Sequence, residues 1–136
     1  MPNNPNFRAV NPPLIHKPNG YSHAVEITAR KMIYISGQVA LDVAGNIVGQ
    51  DDYRAQIQQV FRNLKAALES AGAGFHNVVK LNYYIVDTVG ADEFFAYREV
   101  RDQYVDTANP PAATVIVIRR LFRPEFLIEI EAVAAL

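Results

Sequence analysis

Near its end the chain runs Leu127 Ile128 Glu129 Ile130 Glu131 Ala132 Val133, an alternation that predicts a β-strand with both acids on one face. The preceding stretch, Thr114 Val115 Ile116 Val117 Ile118, is apolar on both faces, the pattern of a strand covered on both sides. Val78 to Val86 reads as a long strand. Ala24 to Thr28 and Met32 to Ser36 read as a hairpin joined by Ala29 Arg30 Lys31, and Val39 to Leu41 leads through Asp42 Val43 Ala44 Gly45 into a further turn. Helical spacing is clearest from Asp52 to Ala71, where Ile57, Val60, Phe61, Leu64 and Leu68 share a stripe behind the capping candidates Asp51 and Asp52; Gly72 and Gly74 end it. A second helix is predicted from about Asp92 to Val105, with Phe94, Tyr97, Arg101 and Tyr104 on one stripe, broken by Asn109 Pro110 Pro111. Five prolines in residues 1–20 predict an extended arm with at most a short edge strand near Phe7 to Val10.

The order of two or three strands, helix, strand, helix, two strands predicts an α+β layer with both helices on one face of the sheet. Two helices cover only that face, so a lone chain would leave the other in water. At about 25 cal/mol per Å², hiding several hundred Å² of apolar surface is worth roughly 10 kcal/mol gross, less the entropy of association. A closed homo-oligomer is the expected cover.

Composition narrows the function classes. A chain of 136 residues is expected to form one domain, 1–136, with residues 1–20 as its arm. A formal net charge of -1 argues against nucleic-acid or membrane partners recruited by bulk electrostatics. The absence of cysteine excludes disulfides and thiolate chemistry. With no secretory leader pattern at Met1 Pro2 Asn3 Asn4 Pro5 and no membrane-length apolar run, a cytoplasmic protein is expected. Phosphate-loop, dinucleotide and zinc-protease signatures are absent, and His16, His23 and His76 are scattered, so neither a cofactor nor a metal is predicted.

The remaining polar candidates lie in Gly20 Tyr21 Ser22, in Ser36 Gly37 Gln38 and around Glu131. With Gln59 to Leu68, Ala71 Gly72 Ala73 and Ile128 to Ala134, they form an ordered series that resembles the RidA (YjgF/YER057c/UK114) family across nearly the whole chain. The resemblance implies a chorismate-mutase-like fold, a mixed β-sheet with two helices on one face, assembled as a homotrimer around a β-barrel-like core with ligand clefts between subunits. It also implies hydrolysis of reactive enamines and imines, such as 2-aminoacrylate, to 2-oxo acids and ammonia. That chemistry needs a carboxylate grip, a proton route to carbon and a placed water. By the resemblance Glu131 matches the glutamate that holds or activates the water, Tyr21 and Ser36 match cleft-lining positions, and Gly37 offers a backbone donor.

One position departs from the family pattern. Relatives with this activity carry an arginine after Pro Ala to grip the carboxylate; here the run is Pro111 Ala112 Ala113 Thr114, so Ala113 stands in its place. A forked arginine–carboxylate pair is worth about 1.5 to 3 kcal/mol, so 2-aminoacrylate should bind at least about tenfold more weakly. Arg98, on the second helix, is the candidate replacement, weighed against an ordinary solvated helix arginine. Ala113 and Val115 make the expected pocket more apolar, suiting a larger or differently oriented small-molecule carboxylate or imine. His23 is weighed as a proton shuttle against a structural role, and Glu129 is read as an interface or structural acid. Two functions follow: an enamine/imine deaminase-type hydrolase with a substrate other than 2-aminoacrylate, or a non-catalytic RidA-like protein that binds or senses a small molecule. Ribonuclease action, attributed to some relatives, finds no basic groove in the sequence.

Overall fold

The computed structural model describes residues 4–136. The first three residues of the expected arm lie outside the described residues. The elements are β1 (Phe7–Val10), β2 (Ala24–Ile27), β3 (Met32–Gln38), α1 (Tyr53–Ser70), β4 (Val78–Val86), α2 (Ala96–Arg101), β5 (Ala112–Ile118) and β6 (Ile128–Ala135). Four strands make one mixed sheet in the order β3-β6-β4-β5, with β4 and β5 parallel and the other pairs antiparallel, while β1 and β2 form a separate ribbon.

Strand alternation sorts this sheet into two unlike faces. Leu81, Tyr83 and Ile85 of β4 stand level with Ala132, Ile130 and Ile128 of β6, and all are buried in the main core. Helix α1 fills the layer above them through Ile57, Val60, Phe61, Leu64 and Leu68, each fully buried. Its start is fixed by Asp52, whose side chain accepts from the Ala55 amide at 3.1 Å, and its end by Gly72 at φ +77°. Helix α2 joins the same layer through Ala96, Tyr97 and Val100. The fully buried Gln56 donates to the Gly49 and Glu125 carbonyls and accepts from the Leu127 amide, pinning the loop that delivers β6 to the middle of the sheet.

The opposite face has no helix on it. It carries Lys80, Asn82 and Tyr84 of β4, the paired Glu129 and Glu131 of β6, Thr114 and Ile116 of β5, and Tyr34 of β3 opposite Val133. Tyr34 and Ile116 are exposed there. The sheet face expected to lie uncovered in a lone chain is uncovered, but it is largely polar, with Tyr34, Ile116 and Val133 as its apolar part.

Three expectations need correction. β2 and β3 do not pair as a hairpin: the Arg30 and Lys31 amides donate to the Leu136 carbonyl, so β3 starts against the C-terminal strand and β2 is left to pair with β1. α2 is shorter than the apolar stripe suggested, because tight bonds from Glu93 and Phe94 to the Gly90 carbonyl, and from Ala96 to that of Glu93, hold the chain before Ala96 in turns. β5 is an edge strand with Val115, Ile116 and Val117 all exposed, so its apolar sides are not covered within one chain.

Candidate functional site

A cavity of about 360 Å³ opens on the helix side of the sheet, between α2 and the outer edge of β5. Ala113 and Val115 floor it, Phe94, Phe95 and Tyr97 wall it, and Tyr21, Tyr83, Arg98 and Arg101 add polar groups. No carboxylate or imidazole is among its lining residues.

Tyr21 reaches this cavity because its loop is stitched to the start of β5. The Ser22 amide donates to the Pro111 carbonyl at 3.1 Å, the Ser22 hydroxyl donates to the Pro110 carbonyl at 2.5 Å, and Ser22 bridges to Ala112 in parallel register. Gly20, at φ +79°, makes the tight approach possible: a Cβ there would fall 2.4 Å from the Arg101 guanidinium. Arg101 is itself buried and paired with Asp102 at 2.8 Å. Tyr21 has one polar partner of its own, since His16 Nε2 lies 2.7 Å from its hydroxyl. The histidine flagged by its position next to Ser22, His23, is turned away from this hydroxyl; its Nε2 sits 2.6 Å from the His16 carbonyl, and its ring meets those of His16 and Tyr21 edge-on.

Two residues lining the cavity each carry a buried donor with no hydrogen-bond partner among the described residues. The donors are Arg98 Nε and the Tyr83 hydroxyl. Burial holds that hydroxyl protonated, well above the ordinary tyrosine range, against a smaller opposing pull from Arg101. The Arg98 guanidinium stacks over the Phe95 ring at 4.1 Å and has no ion pair among the described residues.

Glu131 belongs to a second constellation on the other sheet face. Its Oε1 accepts from the Tyr84 hydroxyl at 2.6 Å and from Asn82 Nδ2 at 3.1 Å. The hydrogen bond to Glu131, helped by its charge, raises the Tyr84 pKa above the ordinary value, so this hydroxyl is a donor at neutral pH. Ser36 and Gly37 flank Glu131 from β3, where the pairing slips between Ile35 opposite Ala132 and Gln38 opposite Ile130. Gly37 is required there: a Cβ would lie 1.9 Å from Glu129 Oε1. Burial, and then the charge of Glu131, raise the Glu129 pKa.

The residues singled out from sequence thus fall into two groups. Tyr21, Arg98, Ala113 and Val115 meet in the cavity. Ser36, Gly37 and Glu131 meet on the uncovered face, on the far side of the same sheet. One chain does not bring the two groups together. Sequence reasoning left out Arg101 and Tyr83, read as core or stripe residues, and the partners His16, Asn82 and Tyr84. The period-two alternation of β4 and its register with β6 were the only signals that Asn82 and Tyr84 join Glu131.

A mixed sheet with two helices on one face and polar groups divided between its two sides defines an α+β protein with a divided candidate site. The family model described as Endoribonuclease L-PSP matches residues 14–136, and the chain belongs to this family, the RidA (YjgF/YER057c/UK114) family that its motifs resemble. A solved structure of a Rid-family protein of unknown function, YyfB from Yersinia pestis, superposes with a TM-score of 0.88 at 40% identity, covering 96% of this chain and 99% of that one. A RutC family protein of Synechocystis is 36% identical over 81% of this chain and 82% of its own length. The 2-iminobutanoate/2-iminopropanoate deaminase of Dermatophagoides farinae is 33% identical over 79% and 81%.

Proposed function

We propose that this protein is an enamine/imine deaminase-type hydrolase of the cytoplasm, working in clefts between the subunits of a homotrimer. The observation that carries the reading is the division of the site. The cavity holds the cationic and apolar groups suited to a small carboxylate but no base, and Glu131 is held by Tyr84 and Asn82 on the uncovered face, across the sheet from that cavity. Apposing the uncovered face of one copy to the β5 edge of the next would bury Ile116 and Val117 and bring the two groups into one cleft. The name of the Dermatophagoides relative supports imines as the substrate class.

The reaction follows from the chemistry of the parts. Arg98 takes the substrate carboxylate, the role that Ala113 cannot fill, while Ala113 and Val115 accommodate the substrate's side group. Tyr21 and Ser36 shape the cleft, and the Gly37 amide offers a donor to the developing negative charge. Glu131 accepts a proton from water as the oxygen attacks the imine carbon. That proton passes to the nitrogen to give a neutral carbinolamine; Glu131 then takes the adduct's hydroxyl proton and delivers it to the same nitrogen, so the C–N bond breaks as the C=O bond forms, giving ammonia and a 2-oxo acid. An enamine enters the same route after protonation at carbon.

Freshly generated imines from a panel of amino acids provide the test. Release of ammonia and 2-oxo acid, abolished in Glu131→Ala, is the expected result; no turnover across the panel rejects the reading. Ala113 favours one second reading, a protein that binds or senses a small molecule without transforming it, which would return its ligand chemically unchanged after long incubation.

A further inference from the structure

Of the three buried side-chain atoms left without a hydrogen-bond partner among the described residues, two belong to residues lining one cavity: Arg98 Nε and the Tyr83 hydroxyl. Buried donors are almost always paired, so these two mark the part of the wall that lacks acceptor oxygens, although both atoms lie just beneath the cavity surface. Arg98 comes from α2 and Tyr83 from β4, where the Tyr83 hydroxyl lies against the Arg101 guanidinium. Asp102 already offsets the charge of Arg101, so Arg98 supplies the uncompensated cation.

The rest of the same lining is of opposite character. Phe94, Phe95 and Tyr97 present ring surface, and at Ala113 and Val115 the β5 wall is small and apolar. A volume of about 360 Å³ is in the range of pockets that take whole drug-sized ligands, far more than a three-carbon acid fills.

We infer that the cavity takes a carboxylate bearing a bulky, preferably aromatic, side group, with its oxygens bound by Arg98 and Tyr83 near Arg101 and its ring lying over Ala113 and Val115 against Phe94. The carboxylate then sits on the α2 and β4 side, away from the place an arginine at position 113 would hold it. Joined to the proposed hydrolysis, this names the substrate class as aromatic or large apolar 2-imino acids. It rests on that reading only in taking the cavity as the ligand site, since binding needs no turnover.

Calorimetric titration with unreactive 2-oxo acids tests it separately from catalysis. Phenylpyruvate is expected to bind wild type about tenfold or more tightly than pyruvate, and also more tightly than phenylacetone, which keeps the ring and lacks the carboxylate. Tyr83→Phe should weaken phenylpyruvate roughly fivefold and Arg98→Gln about tenfold. Pyruvate binding as tightly as phenylpyruvate, or phenylacetone matching it, overturns the inference on wild type alone; so does unchanged phenylpyruvate affinity in both folded variants. Tight phenylpyruvate binding without imine turnover would remove the hydrolase reading and leave this one standing.

Discussion

The Tyr84 hydroxyl donates a 2.6 Å hydrogen bond to Oε1 of Glu131 from the neighbouring strand, and Asn82 supports the same oxygen two residues earlier on that strand. Directly paired residues such as Asn82 and Glu131 share a face, so this support is a consequence of strand register rather than of loop conformation. Glu131 is thereby presented from the middle of a sheet with one oxygen engaged by two donors. Tyr84 is a positioning residue in the proposed chemistry. Tyr84→Phe should lower kcat for imine hydrolysis roughly 5- to 10-fold with little change in KM, because the carboxylate loses its fixed orientation and not its charge. Steady-state kinetics on one imine substrate checks the split; a change confined to KM would contradict it.

Gly37 and Glu129 are packed too closely for any side chain at position 37. Gly37→Ala must displace the whole Glu129 side chain, since its Cγ, Cδ and Oε1 all fall within 2.9 Å of the added Cβ. The expected loss is about 1 to 3 kcal/mol by denaturant unfolding. Glu129→Ala in the same chain should recover most of it, and a double-mutant cycle measures the coupling.

Glu129 also sets a pH dependence. Its folded pKa is raised above the ordinary value, first by burial and then by Glu131. Between the unfolded and folded pKa values the native state binds more protons, so stability from this group is complete below the unfolded value and is lost as pH rises through the folded one. Glu129→Gln is therefore expected to melt at a higher temperature than wild type at pH 7.5, by less than about 1 kcal/mol in stability because solvent screens a partly exposed acid. Thermal melts at pH 4 should show the difference shrinking.

Much of this fold was legible in the sequence, and the limits of legibility have physical causes. The 3.6-residue stripe from Ile57 to Leu68 and the aspartate cap gave α1 to within two residues, because burial and capping act on the same segment. The paired acids in the last strand pointed to Glu131. Strand partners were less readable: Ala29 Arg30 Lys31 looks like a turn whether β3 pairs backward to β2 or onward to β6, and the bonds to Leu136 that decide it span the chain. The Tyr21 loop was recognisable only by resemblance, while the burial of Arg101 beneath Gly20 depends on a contact 81 positions apart that no local pattern encodes. The separation of Ala113 from Glu131 by the sheet itself emerges only once parallel β4–β5 pairing puts Ala113 level with Leu81, on the buried side.

Ala113→Arg tests how far the substrate has moved from that of relatives with the arginine. The variant should gain about tenfold in kcat/KM on 2-aminoacrylate, through a new forked pair with its carboxylate. It should lose affinity for phenylpyruvate, because the longer side chain fills the space over β5. Equal turnover of 2-aminoacrylate by variant and wild type would contradict this.

The central claim is that each working site takes its carboxylate grip from one copy and its water-activating acid from another. Complementation between two impaired variants, assayed at substrate concentrations well below KM, tests it most directly. Arg98→Gln and Glu131→Ala are purified separately, dissociated, mixed in equal amounts and reassociated, and imine hydrolysis is measured. If sites lie between copies of a closed trimer, random mixing restores both intact halves at roughly a quarter of the sites, and activity should return to about that fraction of wild type. A mixture no more active than the average of the two variants alone, in oligomers shown to have exchanged subunits, would contradict the account.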